Sequence, residues 1–563
     1  MNKEKEIKKA DKTNIKFNIL AIILIAIFCF SISPKTLQND TFYTIRIGEH
    51  ILENGIDMRD PFSFHKEVFS NNKLEYTYPH WLYDVCIYLI YNIGGHTGIY
   101  ISTVVLCMAL GILMYFTNVK LTKNKITSFV ITIGAMYLLK GYIAARAQLV
   151  TFILFVLTIY FIEQFLDTKK KRYAIGLVII PILIANLHLA VFPFYFILYL
   201  PYIAEYMIYI LSNGGIIVTT SKINSMHKKL KNTEDEKEIE KIKNKILELE
   251  AKNDKLQKRY EKVNADPYKI KIRGNHTVKL LIIVMIICVF TGLLTPLGDT
   301  PYTYLLKTMQ GNTTHNISEH LPLTLVQNLN FICVLIVFLA ILIFTDTKIR
   351  LSDLFMLGGL TLLTFYTRRQ ESMFVLMGSF ILNRLICSML DKYNPEGCKK
   401  AIKTICRPLP MISTVVIVLI LCVNMYKPKI GNKYINEKSY PVDAATFILE
   451  NLDIENIRLY NEYNYGSYLL YRGIPVFIDS RADLYAPEFN LGVDVFNDYL
   501  NLSGVNNDNI EETLDEYEIT HMIMYKNAKL RTFIKQDKEK YNLLYEDDYF
   551  CIYERKQVEE NQI

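Results

Sequence analysis

Long apolar runs decide what this chain can become. The first is Phe17 to Ser33, and further runs follow at about 98–118, 126–142, 147–166, 173–188, 190–211, 278–295, 325–346, 353–368, 372–390 and 408–426. An apolar helix of about 20 residues matches the hydrocarbon thickness of a bilayer. Eleven such runs in 563 residues exclude an ordinary soluble core. The expected fold is therefore a polytopic α-helical membrane protein with about eleven transmembrane helices. Phe17–Ser33 reads as an uncleaved signal anchor, because no small-x-small cleavage site follows it. The lysines of residues 1–16 place that tail in the cytoplasm by the positive-inside rule. The same register puts Lys120, Lys123, Lys125, 169–172, 221–273, Lys348, Arg350, Lys392, Lys399, Lys400, Lys403 and Arg407 in internal loops. An odd number of spans leaves the C-terminus outside a multi-pass cell-membrane protein.

Residues 17–426 then form the transmembrane domain, interrupted twice. The external loop 34–97 is long, polar and aromatic, and contains the only Trp, Trp81. Loops of this length are functional or disordered. Its aromatic content argues against disorder. Trp81 to Ile93 is too short to span and ends at Gly94-Gly95, so it is expected to lie in the membrane interface. The second interruption is a cytoplasmic insert, 212–277. Within it Ile239, Ile242, Ile246, Leu249 and Leu256 form a coiled-coil seam. So short a seam fits a local hairpin or a docking arm for a protein partner better than a dimer zipper. Residues 427–438 form a linker. Residues 439–563 change to the composition of an external soluble α/β domain, with a helix at Asp443–Asn451. Strands are expected at Ile457–Tyr460, Gly473–Asp479 and His521–Tyr525, and an edge strand at Phe550–Tyr553. The ten cysteines include no CxxC pair, which excludes a zinc site or disulfide framework of familiar spacing. No metal ligands are assigned. The insert mixes acids with bases and lacks interleaved aromatics, so nucleic acid is not an expected partner.

Ionisable residues at span ends are the candidate chemistry, because charge at membrane depth needs a cavity or a partner. Arg146, Asn186 with His188, Glu319 with His320, and Arg368, Arg369 with Glu371 all fall at predicted external ends. Each has a plain alternative. Arg146 can snorkel, His188 can be a hydrogen-bonded packing residue, and Arg369 with Glu371 can be a surface pair. Together they converge on the face holding Asp40. Arginines there suit a phosphate, and a carboxylate opposite them suits a general base. A phosphate at that depth belongs to a lipid carrier. The set fits sugar transfer from a polyprenyl-phosphate donor to a glycan, lipid or protein acceptor.

The plan resembles the GT-C glycosyltransferases, which are membrane enzymes with a catalytic acid in the first external loop. Within that superfamily it is most similar to bacterial polytopic members with an external C-terminal domain. The likeness rests on Asp40-Thr-Phe42-Tyr43, Gly48-Glu-His-Ile51, Asp60-Pro-Phe-Ser63, His80-Trp81-Leu82, Asn186-Leu-His188 and Ile317-Ser-Glu319. It continues in Tyr465-Gly466-Ser-Tyr468 and Phe477-Ile-Asp479-Ser-Arg481-Ala-Asp483-Leu-Tyr485. By this resemblance Asp40 is the base, with Asp60 and Glu319 as further catalytic candidates. Arg146, His188, Arg368 and Arg369 would bind the donor phosphate, and His80, Trp81 and Asn186 the substrate. A divalent cation is an optional cofactor. The sequence departs from the pattern at Asn39, where a second acid is usual in protein mannosyltransferases, and at Phe42-Tyr43, where a Trp pair is usual. It departs again at Arg146-Ala147 and Glu319-His320, in place of Arg-Pro and Glu-Trp, and it lacks the Trp-Trp-Asp signature of oligosaccharyltransferases.

Two alternatives remain at this point. Asp40 opens a helix reaching Asn54, so it can be a simple N-cap. Asp479, Arg481 and Asp483 can be an ion-paired strand end rather than an acceptor site. At the level of the whole protein, a glycan ligase, polymerase or transporter also needs arginines near a lipid phosphate. A non-catalytic scaffold would need the insert rather than Asp40.

Overall fold

The computed structural model describes residues 2–65, 76–232, 235–264, 269–310, 316–489, 493–506 and 509–556. Residues 66–75 of the 34–97 loop and 265–268 of the insert lie outside the described residues. A segment that is apolar all round must satisfy its backbone groups internally, and a helix does so. Among the described residues six helices are long and apolar enough to cross a membrane. They are Lys12–Ile32, Trp81–Thr122, Ala147–Thr168, Leu189–Leu230, Arg368–Tyr393 and Pro408–Lys429. Val278–Leu293, Leu329–Phe344 and Leu351–Tyr366 are apolar but shorter. Lys125–Leu139 and Lys171–Leu187 stand between them. The chain is a helical, membrane-embedded protein. Ile25, Phe28 and Cys29 of the first helix pack with Cys107, Leu110, Met114 and Met136 in one continuous core. Ile417, Ile420 and Val423 on Pro408–Lys429 stay exposed, which suits contact with lipid.

The helix from Trp81 breaks at Gly94-Gly95, as expected: Gly95, at φ 57° and ψ −150°, is non-helical and separates it from a second helix that runs on to Thr122. That backbone region is open to glycine and costly for residues with a Cβ. The insert is an antiparallel hairpin of Leu200–Leu230 and Glu236–Asn264. Ile246 and Ile223 are buried, and Leu256 lies against Gly215. The seam is thus filled within the chain. The returning segment is held by a short parallel pairing of β1 (Ile270–Lys271) with β2 (Ile349–Arg350).

A charge cluster locks the hairpin end of the bundle. Glu163 is sealed, with 1% of its side chain exposed. It meets Arg384 at 3.0 Å, Arg350 at 3.2 Å and Arg273 at 3.7 Å. Arg384 also grips Asp353, and the Tyr202 hydroxyl donates to Glu163. The sequence places Arg273 and Arg350 in loops on this side but gives no sign that they meet Glu163 and Arg384. Glu163 and Arg384 lie inside apolar runs, and only packing brings them together.

The C-terminal domain is a mixed sheet in the order β3-β4-β6-β5, formed by β3 (Leu459–Tyr460), β4 (His521–Tyr525), β5 (Tyr541–Glu546) and β6 (Phe550–Arg555). β3 and β4 are parallel, and the other pairs antiparallel. Two expectations are corrected. The 473–479 segment is not a strand of this sheet; Val476 makes a lone bridge to Ser63 of the 34–97 loop. The Phe550 strand is interior, because the unanticipated β5 covers it. Domain and loop share a core in which Tyr43, Ile47 and Phe64 pack with Tyr460, Phe477 and Tyr485. Arg481, 2% exposed, meets Asp60 at 2.7 Å and also holds Asp479. His65 Nε2 donates to the Phe477 carbonyl at 2.6 Å.

His65 gives the seam a pH dependence. Burial is the first cause of a pKa pulled from 6.5 down to about 4. A group whose folded pKa is lowered in this way is neutral in the fold but takes up a proton when unfolded below pH 6.5. Its stabilisation is therefore complete above pH 6.5 and is lost as pH falls towards 4. The size is about 3 kcal/mol, from about 1.4 kcal/mol per unit. Thermal unfolding from pH 7 to pH 4 is expected to fall steeply in the parent protein. In His65→Gln the share due to His65 is expected to be lost, while the part due to other histidines drawn down by burial, such as His320, stays.

Candidate functional site

Asp40 lies in the first turn of the helix Asn39–Asn54, whose N-cap is Gln38 rather than Asp40. Its carboxylate is directed across to Arg146, with Oδ2 2.5 Å from Nη2. Arg146 is the N-cap of the helix Ala147–Thr168 in extended geometry. Its guanidinium also reaches Glu319 at 3.4 Å. The two segments are fastened beside the pair by Thr41, which donates to the Ala145 carbonyl at 3.2 Å. Asn39 donates to the Tyr463 carbonyl at 2.9 Å and ties in the C-terminal domain. Arg146, Asp40 and Glu319 keep 27%, 22% and 50% of their side-chain exposure. This separates them from the sealed Glu163 and Arg481 pairs, because a ligand can reach them. Asp40 beside Arg146 is the main cause holding the guanidinium in its charged form.

The loop carrying Glu319 is sewn to the turn before the helix Glu371–Tyr393. Arg369 N donates to the Glu319 carbonyl at 3.0 Å, and Arg368 N to the Leu321 carbonyl at 2.9 Å. Arg369 is within electrostatic reach of Arg146, Glu319, Asp40 and Asp483. Among the described residues no carboxylate lies within ion-pair distance of its guanidinium. The Nε of Arg368 is likewise buried without a hydrogen-bond partner. Glu371 does not pair with Arg369; it accepts from the Tyr142 hydroxyl at 3.0 Å. His320 stays neutral, drawn down to about 4 by burial first and then by Arg369. Asp483 of the C-terminal domain faces the same place. Burial raises its pKa, against a hydrogen bond from Tyr304 and the charge of Arg369.

A second line of groups adjoins Asp40. His80 Nδ1 lies 2.8 Å from Asp84, and its Nε2 lies 2.9 Å from the Tyr43 hydroxyl. Nδ1 of His80 thus faces the Asp84 carboxyl group, and Nε2 faces the Tyr43 hydroxyl. Tyr43 is within electrostatic reach of Asp40 and Arg146, and burial first keeps its phenol protonated. Gly48 makes this geometry attainable. A Cβ there would sit 2.2 Å from the Asp84 carbonyl oxygen, so the two helices can cross only with glycine at that position. His188 pairs with Thr151 at 2.7 Å and stands 6.4 Å from His80, ring to ring.

The structure thus brings together Asp40, Arg146, Glu319 and Arg369, with His80 and His188 beside them; Arg368 joins the Glu319 loop through its backbone, and its charge acts on Tyr142. It sets others apart. Asp60 is buried and held by Arg481 and the backbone of Phe62 and Ser63. Burial works against its charge, and Arg481 then holds its pKa below the usual carboxylate range. It has the surroundings of a fastener rather than a base. Trp81 donates from its indole to Asn186 at 3.1 Å, so these two satisfy each other. Tyr43, Asp84 and Tyr304 are not among the site residues expected from sequence, whereas Asp483 is one of the residues weighed there as an acceptor site. The three-residue gap from Tyr43 to Asp40 and the His80-x-x-x-Asp84 spacing were the available signals.

Among the described residues no group of three or more His, Cys, Asp or Glu side chains is arranged to hold a metal ion. No protein-family model matches the chain, and no curated protein matches it. Gly48→Ala is expected to lose about 1–3 kcal/mol of stability, the usual range for overpacking, because backbone rather than a movable side chain blocks the methyl. Chemical denaturation of the purified protein measures this.

Proposed function

We propose that the chain is an integral membrane glycosyltransferase of GT-C type. It would move a sugar from a polyprenyl-phosphate carrier to an external glycan, lipid or protein acceptor. The observation that carries this reading is Arg369: a guanidinium without a carboxylate partner, set beside the accessible Asp40–Arg146–Glu319 group. Two apolar helices, Ala147–Thr168 and Glu371–Tyr393, begin at these arginines. Their N-termini add positive potential, which favours an anion. An anion available at a membrane surface to such a site is a lipid phosphate. In this reading eleven spans place the site and the C-terminal domain outside the cell and the 212–277 hairpin in the cytoplasm.

The arriving phosphate takes Arg369 and competes with Asp40 for Arg146. Asp40 is released from its ion pair and accepts the proton of the acceptor hydroxyl. The acceptor oxygen bonds to the anomeric carbon as the bond from that carbon to the phosphate oxygen breaks. The electron pair leaves with the phosphate, whose charge the arginines stabilise. The sugar passes through an oxocarbenium-like state, as in glycoside hydrolysis. Glu319 holds the second edge of Arg146, and the Tyr43–His80–Asp84 line positions a neutral hydroxyl beside the base.

Purified protein in lipid, given a panel of polyprenyl-phosphate sugars, tests the proposal. Asp40→Asn is expected to lower turnover by about a hundredfold or more with donor binding retained, the range for a general base. Arg369→Ala is expected to weaken donor binding itself by about tenfold or more. Unchanged turnover in Asp40→Asn would remove the base assignment. Donor binding without turnover in the parent would favour a ligase or transporter.

A further inference from the structure

A polar cavity lies elsewhere on the Asn39–Asn54 helix, away from Asp40. It has a volume of about 320 Å³ and is lined by Arg46 and Glu49 from that helix, Tyr88 and Tyr91 from the segment before the Gly95 turn, and Tyr471 and Arg472 from the C-terminal domain. Arg46 follows Asp40 by six residues, about two-thirds of a turn around the axis, so this cavity opens away from the Asp40–Arg146 pair. Its volume falls in the range of small-molecule sites.

The wall is made for an anion carrying hydroxyls. Arg46 pairs with Glu49 through one amino group, while its Nε is buried without a hydrogen-bond partner among the described residues. Arg472 is anchored by Thr446 and Tyr468 and brings a second positive charge. Among the lining residues two guanidiniums stand against the one carboxylate of Glu49, with Glu53 also within electrostatic reach of Tyr88. The Tyr91 and Tyr471 hydroxyls face each other at 2.6 Å, and Tyr88 reaches Glu49 at 3.4 Å. Beside this polar wall the same two helices present apolar residues outward. Leu52 is 50% exposed, Leu89 46% and Ile93 90%. Arginine and tyrosine together with exposed aliphatic side chains on the same two helices is the composition of a membrane interface.

We infer that this cavity seats the phosphate head group of an anionic membrane lipid, whose acyl chains run along Leu52, Leu89 and Ile93. Arg46 and Arg472 hold the phosphate oxygens, and the tyrosines meet the glycerol or head-group hydroxyls. The seat fastens the loop helix, the helix before Gly95 and the C-terminal domain to the bilayer surface at one point. It stands independently of the transferase reading, since none of its residues belongs to the Asp40 group.

The test is native mass spectrometry of the purified full-length protein with phosphatidylglycerol or phosphatidylcholine added in detergent. The parent is expected to retain phosphatidylglycerol more strongly. Arg46→Ala is expected to lower that affinity by about tenfold, the scale of a charge-assisted contact. Arg46→Lys is expected to fall between them, because it keeps charge but loses the fork. Arg59→Ala is the control in the same loop. Arg46 is partly exposed, so its removal is expected to leave the fold and donor binding intact. Competition by excess inorganic phosphate would support a phosphate seat open to soluble esters as well. Absence of competition would assign it to the lipid. Equal phosphatidylglycerol retention by the parent and Arg46→Ala, or no preference over phosphatidylcholine, would overturn the inference.

Discussion

A guanidinium at the start of an apolar helix cannot stand there without countercharge, and Arg146 draws that countercharge from two distant segments. Asp40 comes from the 34–97 loop, and Glu319 from the loop that precedes Leu329–Phe344. Both must be brought to the mouth of the Ala147–Thr168 helix for the charge to be tolerated. The Glu319 loop in turn carries the turn of Arg368 and Arg369 by backbone hydrogen bonds. One ion pair therefore sets the positions of three parts of the chain, and the reactive geometry proposed here follows from it.

The same electrostatics has a different outcome elsewhere. Glu163 at the hairpin end and Arg481 at the domain seam are almost completely enclosed. A buried charge with several partners rigidifies what it joins, because loss of any partner leaves an uncompensated ion. These clusters fix the bundle to the hairpin and the loop to the C-terminal domain. At Arg146 the group remains partly exposed, and at Arg369 one guanidinium keeps no carboxylate among the described residues. Exposure and incomplete pairing, rather than charge itself, distinguish a place where a ligand can enter.

The C-terminal domain belongs to this arrangement. It shares a core with the 34–97 loop and sends Asp483 towards Arg369. Arg481 shows how closely the two parts are joined, since one side chain satisfies Asp479 of its own segment and Asp60 of the loop. The 473–479 run, with the continuous apolar stretch Ile474-Pro-Val-Phe-Ile478, reads as a sheet strand by propensity. Its edge is taken up by Ser63 of the loop instead, because strand partners are chosen by tertiary context.

Apolar length and charge order were enough to establish a helical membrane protein, the helix of Asn39–Asn54, the turn at Gly94-Gly95 and the hairpin seam of Ile246 and Leu256. These are local properties of periodicity, glycine and hydropathy. Sequence also named Asp40, Arg146, Glu319, Arg368 and Arg369, because charge at the end of an apolar run is costly wherever the run packs. Only the tertiary structure decided which charges meet. It gave Asp40 to Arg146 rather than to a helix cap, Asp60 to Arg481, and Trp81 to Asn186. It also joined Glu163 to Arg384 and Tyr43 to His80 and Asp84. Pairing depends on distances between segments separated by tens to hundreds of residues, and no local pattern encodes those distances.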